Sequence, residues 1–176
     1  FMGFYLQKMQ DSRDSLYRRD IRRQDFPYAG MIKETELRQS NDYTLIQKTV
    51  NTAQKHDYGG TNQSAYFPYV STATTDANEF GGSRNGQAVS RQTVTLVVDT
   101  YGNPTTITAT RQDMDSSSPW SGQTFTLQTV NTISNDTTNW CLGRPTQTTV
   151  TSTLPDSTSD VRTTSAVIDY LKCRTD

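Results

Sequence analysis

Few side chains in this sequence could run a reaction, and their spacing argues against one. His56 is the only histidine. A nucleophile–base pair could use it with any of many serines. No Gly-x-Ser-x-Gly turn sets a serine up for attack, so His56 reads as a solvated loop residue. Zinc needs several His or Cys ligands at short spacing, and one His with Cys141 and Cys173 does not supply them. Asp113 and Asp115 flank Met114 and could offer oxygens to calcium. The glycine and later glutamate of an EF-hand loop are missing, so they read as surface loop. Glu34, Glu36 and Glu79 are the only glutamates. Paired carboxylates can hydrolyse glycosides when the fold brings them together. Glu34 and Glu36, two apart on a strand, share a face and are expected to meet basic residues across the sheet. The sequence therefore predicts a protein that is not an enzyme, with no catalytic residue, no metal and no cofactor.

Arg18, Arg19, Arg22 and Arg23 form the densest basic cluster. On a strand they divide between two faces, which suits cross-strand ion pairs better than one nucleic-acid surface. Trp120 and Trp140 could stack on a sugar with the tyrosines, but core and turn packing is the commoner use of such rings. A disulfide between Cys141 and Cys173 is possible if the protein matures outside the cytoplasm, but two cysteines are no framework, and idle or buried thiols are the stronger expectation.

These side chains sit on a chain whose composition asks for sheet. Only 32% of the 176 residues are hydrophobic, yet there are nine Tyr, six Phe and two Trp, and Thr is the commonest residue. Disordered chains lack such aromatic and β-branched residues. Thr, Tyr, Val and Phe fit a pleated, half-wetted sheet surface. The formal net charge of −1 gives no field to attract nucleic acid or an anionic membrane. No apolar run approaches the roughly 18 residues of a membrane span. The opening Phe1-Met2-Gly3-Phe4 lacks the basic region of a signal peptide, so the chain is expected to begin inside a longer polypeptide.

Alternation, not helical periodicity, runs along the chain. Strands are expected over 1–9 and 16–23, with a turn at 11–15, and over 31–38 and 43–52, with a turn at 39–42. A looser stretch follows at 56–60, then the aromatic run Tyr66-Phe67-Pro68-Tyr69, whose proline argues against a central strand. Residues 81–87 read as a flexible loop. The clearest hairpin spans 90–111 and reverses at Thr100-Tyr101-Gly102-Asn103, where Gly102 supplies a positive φ. After a polar loop at 112–122, strands are expected over 124–133, 144–154 and 162–173, nine or ten in all. Thr49-Val50-Asn51-Thr52 returns as Thr129-Val130-Asn131-Thr132, each ending a Thr-rich strand, which points to a repeated hairpin unit.

Several stretches carry a family resemblance. Val98-Asp99-Thr100-Tyr101-Gly102-Asn103-Pro104-Thr105 resembles the RHS/YD repeat, in which a Tyr-Asp pair precedes a Gly-Asn or Gly-Arg turn and a strand. Val98 stands where the repeat usually has Tyr, and Asp169-Tyr170 is similar to a worn further copy. Arg23-Gln24-Asp25-Phe26-Pro27-Tyr28-Ala29-Gly30-Met31 and Tyr66-Phe67-Pro68-Tyr69 resemble segments upstream of the repeats. The proteins that carry those segments are large RHS proteins of the insecticidal toxin-complex B-component and SpvB type. Asn139-Trp140-Cys141-Leu142-Gly143-Arg144-Pro145-Thr146 resembles a third segment, with Pro145 in place of Leu.

The resemblance implies an all-β fold of antiparallel β-hairpin repeats in a curved single-layer sheet, one segment over 1–176. It implies a secreted or cell-surface bacterial protein whose shell encloses a toxic C-terminal polypeptide. The partners would be other segments or subunits of that shell. Asp25, Phe26, Pro27, Asp99, Tyr101, Gly102, Asn103, Trp140, Gly143 and Arg144 are then structural residues, acting through turns and packing. The competing expectation is an extracellular β-module that recognises glycans or a partner protein.

Overall fold

The computed structural model describes residues 4–11, 13, 15–39, 44–57 and 65–175. Ten strands lie in one antiparallel sheet in chain order: β1 Leu6–Asp11, β2 Leu16–Arg22, β3 Ile32–Gln39, β4 Leu45–Asp57, β5 Tyr66–Asn78, β6 Ala88–Val98, β7 Pro104–Asp113, β8 Thr124–Asp136, β9 Cys141–Thr153 and β10 Ser159–Ser165. A two-stranded clip, β11 Ile168–Asp169 and β12 Arg174–Thr175, follows. The only helical turn among the described residues is a 3-10 turn at Gly82–Arg84. None of them forms a helix long and apolar enough to cross a membrane. The chain divides into two compact units, Phe1–Thr93 with Arg111–Thr124, and Val94–Thr110 with Phe125–Asp176.

The threonine-rich alternation thus becomes an all-β, single-sheet fold. Its physical signature is the scarcity of a core. Ile21, Cys141 and Ile168 are the only apolar side chains buried among the described residues, beside the polar Asp20, Glu36 and Ser71. In the first unit each sheet face hides one carboxylate. Arg19 stands opposite Glu36 and Asp20 opposite Thr35, and consecutive residues point to opposite faces. Glu36 collects Arg38 at 2.9 Å, Arg19 at 3.3 Å and Lys48 at 3.8 Å, while Lys48 also reaches Glu34 at 2.9 Å. The two glutamates meet basic residues across the sheet, as their spacing predicts. Of the four clustered arginines only Arg19 forms such a cross-strand pair. Arg18 pairs within its strand with Asp20, Arg23 pairs with Asp25, and Arg22 donates to the Gly30 carbonyl and to Gln7.

Several boundaries differ from the sequence reading. β4 continues past Thr52 to Asp57, so His56 is a strand residue opposite Phe67 and not part of a loop. Pro68 lies inside β5, which β4 and β6 flank. It is third in the strand, opposite Lys55, where a missing N–H forgoes at most one ladder bond. Pro145 is likewise inside β9, beside a bulge in which Thr146 is the extra residue. The expected strand over 162–173 is two elements. β10 ends at Ser165, and the Asp169 carboxylate then accepts the Leu171 and Lys172 amides to turn the chain into the β11–β12 clip. Residues 81–87 are shaped by hydrogen bonds: Gly81 donates to the Asn85 side chain and Gly86 to the Glu79 carbonyl. The turn expected over 39–42 and the stretch after Asp57 lie largely outside the described residues, as do Ser12, Asp14 and the first three residues of the expected opening strand.

The repeated tetrapeptide has the same local geometry in each unit. Asn51 of β4 donates its side-chain amide to the carbonyl of Ile32, the first residue of β3, at 3.0 Å. Asn131 of β8 donates to the carbonyl of Pro104, the first residue of β7, also at 3.0 Å. The next carbonyl, Thr52 or Thr132, accepts the hydroxyl of the bulge residue on the following strand, Ser71 at 3.1 Å or Thr146 at 3.2 Å. A bulge interrupts the regular pairing at the same point in both copies.

Candidate functional site

Most of the residues singled out in the C-terminal half of the sequence meet in one polar clasp of the second unit. The reversal between β6 and β7 starts at Asp99, whose side chain accepts the backbone amides of Tyr101 and Asn103 at 2.8 Å each. Such a carboxylate substitutes for the missing strand partner inside a turn. Gly102 closes the turn with φ +83°, donating to the Asp99 carbonyl at 3.1 Å. The side-chain amides of Asn103 and Asn135 then bind the other Asp99 oxygen at 3.0 and 2.8 Å. Asn135 in turn accepts the Gly143 amide at 2.8 Å. Turn and β8–β9 hairpin end are thereby stitched by amides around one carboxylate.

Gly143 closes the arrangement through the absence of a side chain. Its φ is +72°, and a Cβ there would stand 2.5 Å from the Asn103 Oδ1. Asn135 is the hub that joins the two segments. The sequence does not single it out, because nothing in a polar strand end distinguishes one Asn from the next. Trp140 takes no part. It is 75% exposed on the turn after β8, at φ +55°, so it supplies turn geometry and not packing. Trp120 is also exposed, on a turn where Asp113 accepts the Ser118 hydroxyl. Asp115 there binds Arg84 and Ser117. The Arg84 guanidinium, with Ser117, pulls the Asp115 carboxyl down to about 2.

Arg144 donates its Nε to the Cys173 Sγ at 3.4 Å. Cys173 is bonded to Cys141 in a disulfide with Cα atoms 5.4 Å apart. This corrects the expectation of idle thiols. The residues lie 32 apart in sequence, and only the turn-and-clip after β10 brings the second cysteine back to the start of β9. Tyr170, in the same segment, donates its hydroxyl to Ser134 at 2.7 Å.

In the first unit, two aromatic segments that are separate in the sequence come together. Asp25, Phe26 and Pro27 form a turn with a cis Phe26–Pro27 bond, closed by the Tyr28 amide on the Asp25 carbonyl. Arg23 holds Asp25 and lies over the Tyr28 ring at 4.2 Å. Phe26 is exposed and meets Tyr66 edge-on at 5.5 Å, while the Lys55 ammonium covers the Tyr66 ring at 4.1 Å. On the opposite face of the same strand ends, Phe67 and Tyr69 lie parallel at 5.9 Å, and Tyr69 donates to Gln54. A shallow hollow of about 400 Å³ lies further along this unit, over Arg18, Thr35, Leu37, Gln47 and Asn51.

The electrostatics are those of turns and ion pairs. Glu36 is held below the ordinary carboxylate range by its hydrogen bond from Arg38, against burial that pushes it up. In Asp20 and Asp99 burial is the largest single influence and pushes upward. The bonds from Arg18 and Thr35, and from Asn103 and Asn135, outweigh it, so both are lowered. A folded-state value below the unfolded one adds stability at pH above the unfolded value, near 4, and that stability is lost as pH falls through the folded values. The melting temperature is therefore expected to hold between pH 7 and 5 and to drop below about pH 4. An unchanged melting temperature at pH 3 would show that these carboxylates are not stabilising. Among the described residues no three His, Cys, Asp or Glu side chains gather as metal ligands would.

Substituting Gly102 by valine is expected to cost about 1–3 kcal/mol, because a β-branched residue is strained at positive φ. Equal unfolding midpoints for the variant and the parent would contradict the turn geometry. No family model matches this chain, and no curated protein or solved structure matches it either.

Proposed function

We propose that this chain is a non-enzymatic wall segment of a bacterial RHS-type toxin shell, a β-structure that encloses a toxic C-terminal polypeptide. The observation that carries this reading is a ten-stranded sheet in unbroken chain order with three buried apolar side chains among the described residues. A sheet so poor in core draws its stability from neighbouring hairpins, as repeat architectures do. Wet, polar faces suit a wall better than a sandwich, whose inner faces must be apolar. The matching asparagine bonds of Asn51 and Asn131 support repetition. The RHS-like Asp99–Asn103 turn lies at the clasp, in keeping with a structural role for that segment.

Other segments or subunits of the shell would be its partners. Secretion or cell-surface display follows from the same reading, and the Cys141–Cys173 bond accords with an oxidising compartment. Electron cryomicroscopy of the full-length protein tests the proposal. The expected image is a closed β-shell with these strands in its wall and polypeptide density inside. A solid globule, or this segment projecting as a separate lobe, would overturn it.

A second reading, an extracellular module that binds glycans or a partner protein, is favoured by one observation. Phe26, Trp120 and Trp140 are 78%, 62% and 75% exposed, which leaves most of each ring open to a stacking ligand. Reproducible signals on a glycan array that vanish with Trp120→Ala would promote this reading over the first.

A further inference from the structure

We infer that the Cys141–Cys173 disulfide is a redox modification site, a latch that an external dithiol opens to release the β11–β12 clip from the start of β9. The two sulfurs differ in access. Cys141 is 0% exposed, whereas Cys173 is only half-buried, on a turn of the C-terminal segment. An attacking thiolate therefore reaches the Cys173 sulfur first. It forms a mixed disulfide there and expels Cys141 as a thiolate, which takes a proton from water. The second thiol of the reagent then attacks its own sulfur in the mixed disulfide, leaving as a cyclic oxidised dithiol and freeing Cys173. One disulfide is reduced and one dithiol oxidised. The Arg144 Nε, 3.4 Å from the Cys173 Sγ, stabilises the second leaving thiolate and is a positioning residue in this exchange.

Once the bond is cut, little holds the clip. β11 and β12 are two residues each, and among the described residues their segment is anchored by the buried Ile168 and by the Tyr170–Ser134 hydrogen bond. Cys173 stands at φ +50°, a backbone region that a non-glycine residue leaves readily when nothing fixes it. By contrast the clasp of Asp99, Asn103 and Asn135 shares no side chain with the disulfide and stays shut. The latch does not depend on what the sheet encloses, so its failure would leave the wall proposal standing.

Hydrogen exchange of the full chain, with and without dithiothreitol, tests the inference. Reduction is expected to speed amide exchange over 168–175 by about tenfold or more, while exchange in β4 and β5 stays unchanged. Cys173→Ser should show the fast pattern without reductant. Arg144→Gln should slow the reduction of the bond, read by thiol labelling over time, and should leave β4–β5 exchange at its parent rate. A bond that resists native-state reduction, or one that is reduced with no change at 168–175, would overturn the inference. So would exchange that rises equally everywhere, because global unfolding is not a latch.

Discussion

Gly143→Ala is expected to be among the most damaging single-atom additions in the molecule, lowering stability by about 3 kcal/mol. Two costs combine. Alanine at φ +72° carries backbone strain of about 1 kcal/mol or more. Its Cβ would also stand 2.5 Å from the Asn103 Oδ1, and the Asn103 side chain has no idle direction in which to move. Its amide nitrogen is bound to Asp99 at 3.0 Å and lies 3.3 Å from the Asn135 oxygen. Moving it gives up a charge-assisted hydrogen bond to Asp99, at about 1.5–3 kcal/mol, although Asn135 stays on the same oxygen. Denaturant unfolding of Gly143→Ala beside Gly122→Ala checks the argument. Both stand at positive φ, but a Cβ at Gly122 would have nothing within 4 Å, so equal losses would show that the amide network adds nothing.

Glu36→Ala should rival it in the other unit, with a loss of about 3 kcal/mol. The Glu36 side chain is 5% exposed, and it is the shared counter-charge of Arg38, Arg19 and Lys48. Removing one partner of a buried ionic group costs more than the group ever contributed, because the half-buried Arg38 and Arg19 lose their shared counter-charge while still partly shielded from water. Glu34 keeps Lys48 at 2.9 Å, so the burden falls on the two arginines. A companion variant with Arg38 also replaced should recover part of the loss. Melting temperatures that match the parent for Glu36→Ala, or a double variant no better than the single, would rule out this account.

The fold was largely legible in the sequence, because a period of two survives substitution as long as threonine and β-branched residues recur. The Asp99–Asn103 reversal was legible for the same reason: a turn is written by four or five adjacent residues. So was the meeting of Glu34 and Glu36 with cations, since their spacing alone puts them on one face. What escaped depends on residues far apart in the chain. Nothing near Cys141 signals Cys173, because the clip that returns it is set by the short-range turn at Asp169. Pro68 misled in one direction. It argued against a central strand, yet it is the third residue of β5, in regular register opposite Lys55 and before the bulge at Ser71. The rings of Phe26 and Tyr66 meet although 40 positions separate them, a distance no local pattern spans.

The bonds of Asn51 and Asn131 end on main-chain oxygens, and this has an evolutionary corollary. Ile32 and Pro104 have nothing in common as side chains, yet each presents the same acceptor to the asparagine beside it. A fastening addressed to the peptide group ignores the identity of the residue that offers it. Duplicated hairpins can then drift apart almost without restraint on one side of the seam, provided that the amide on the other side is kept.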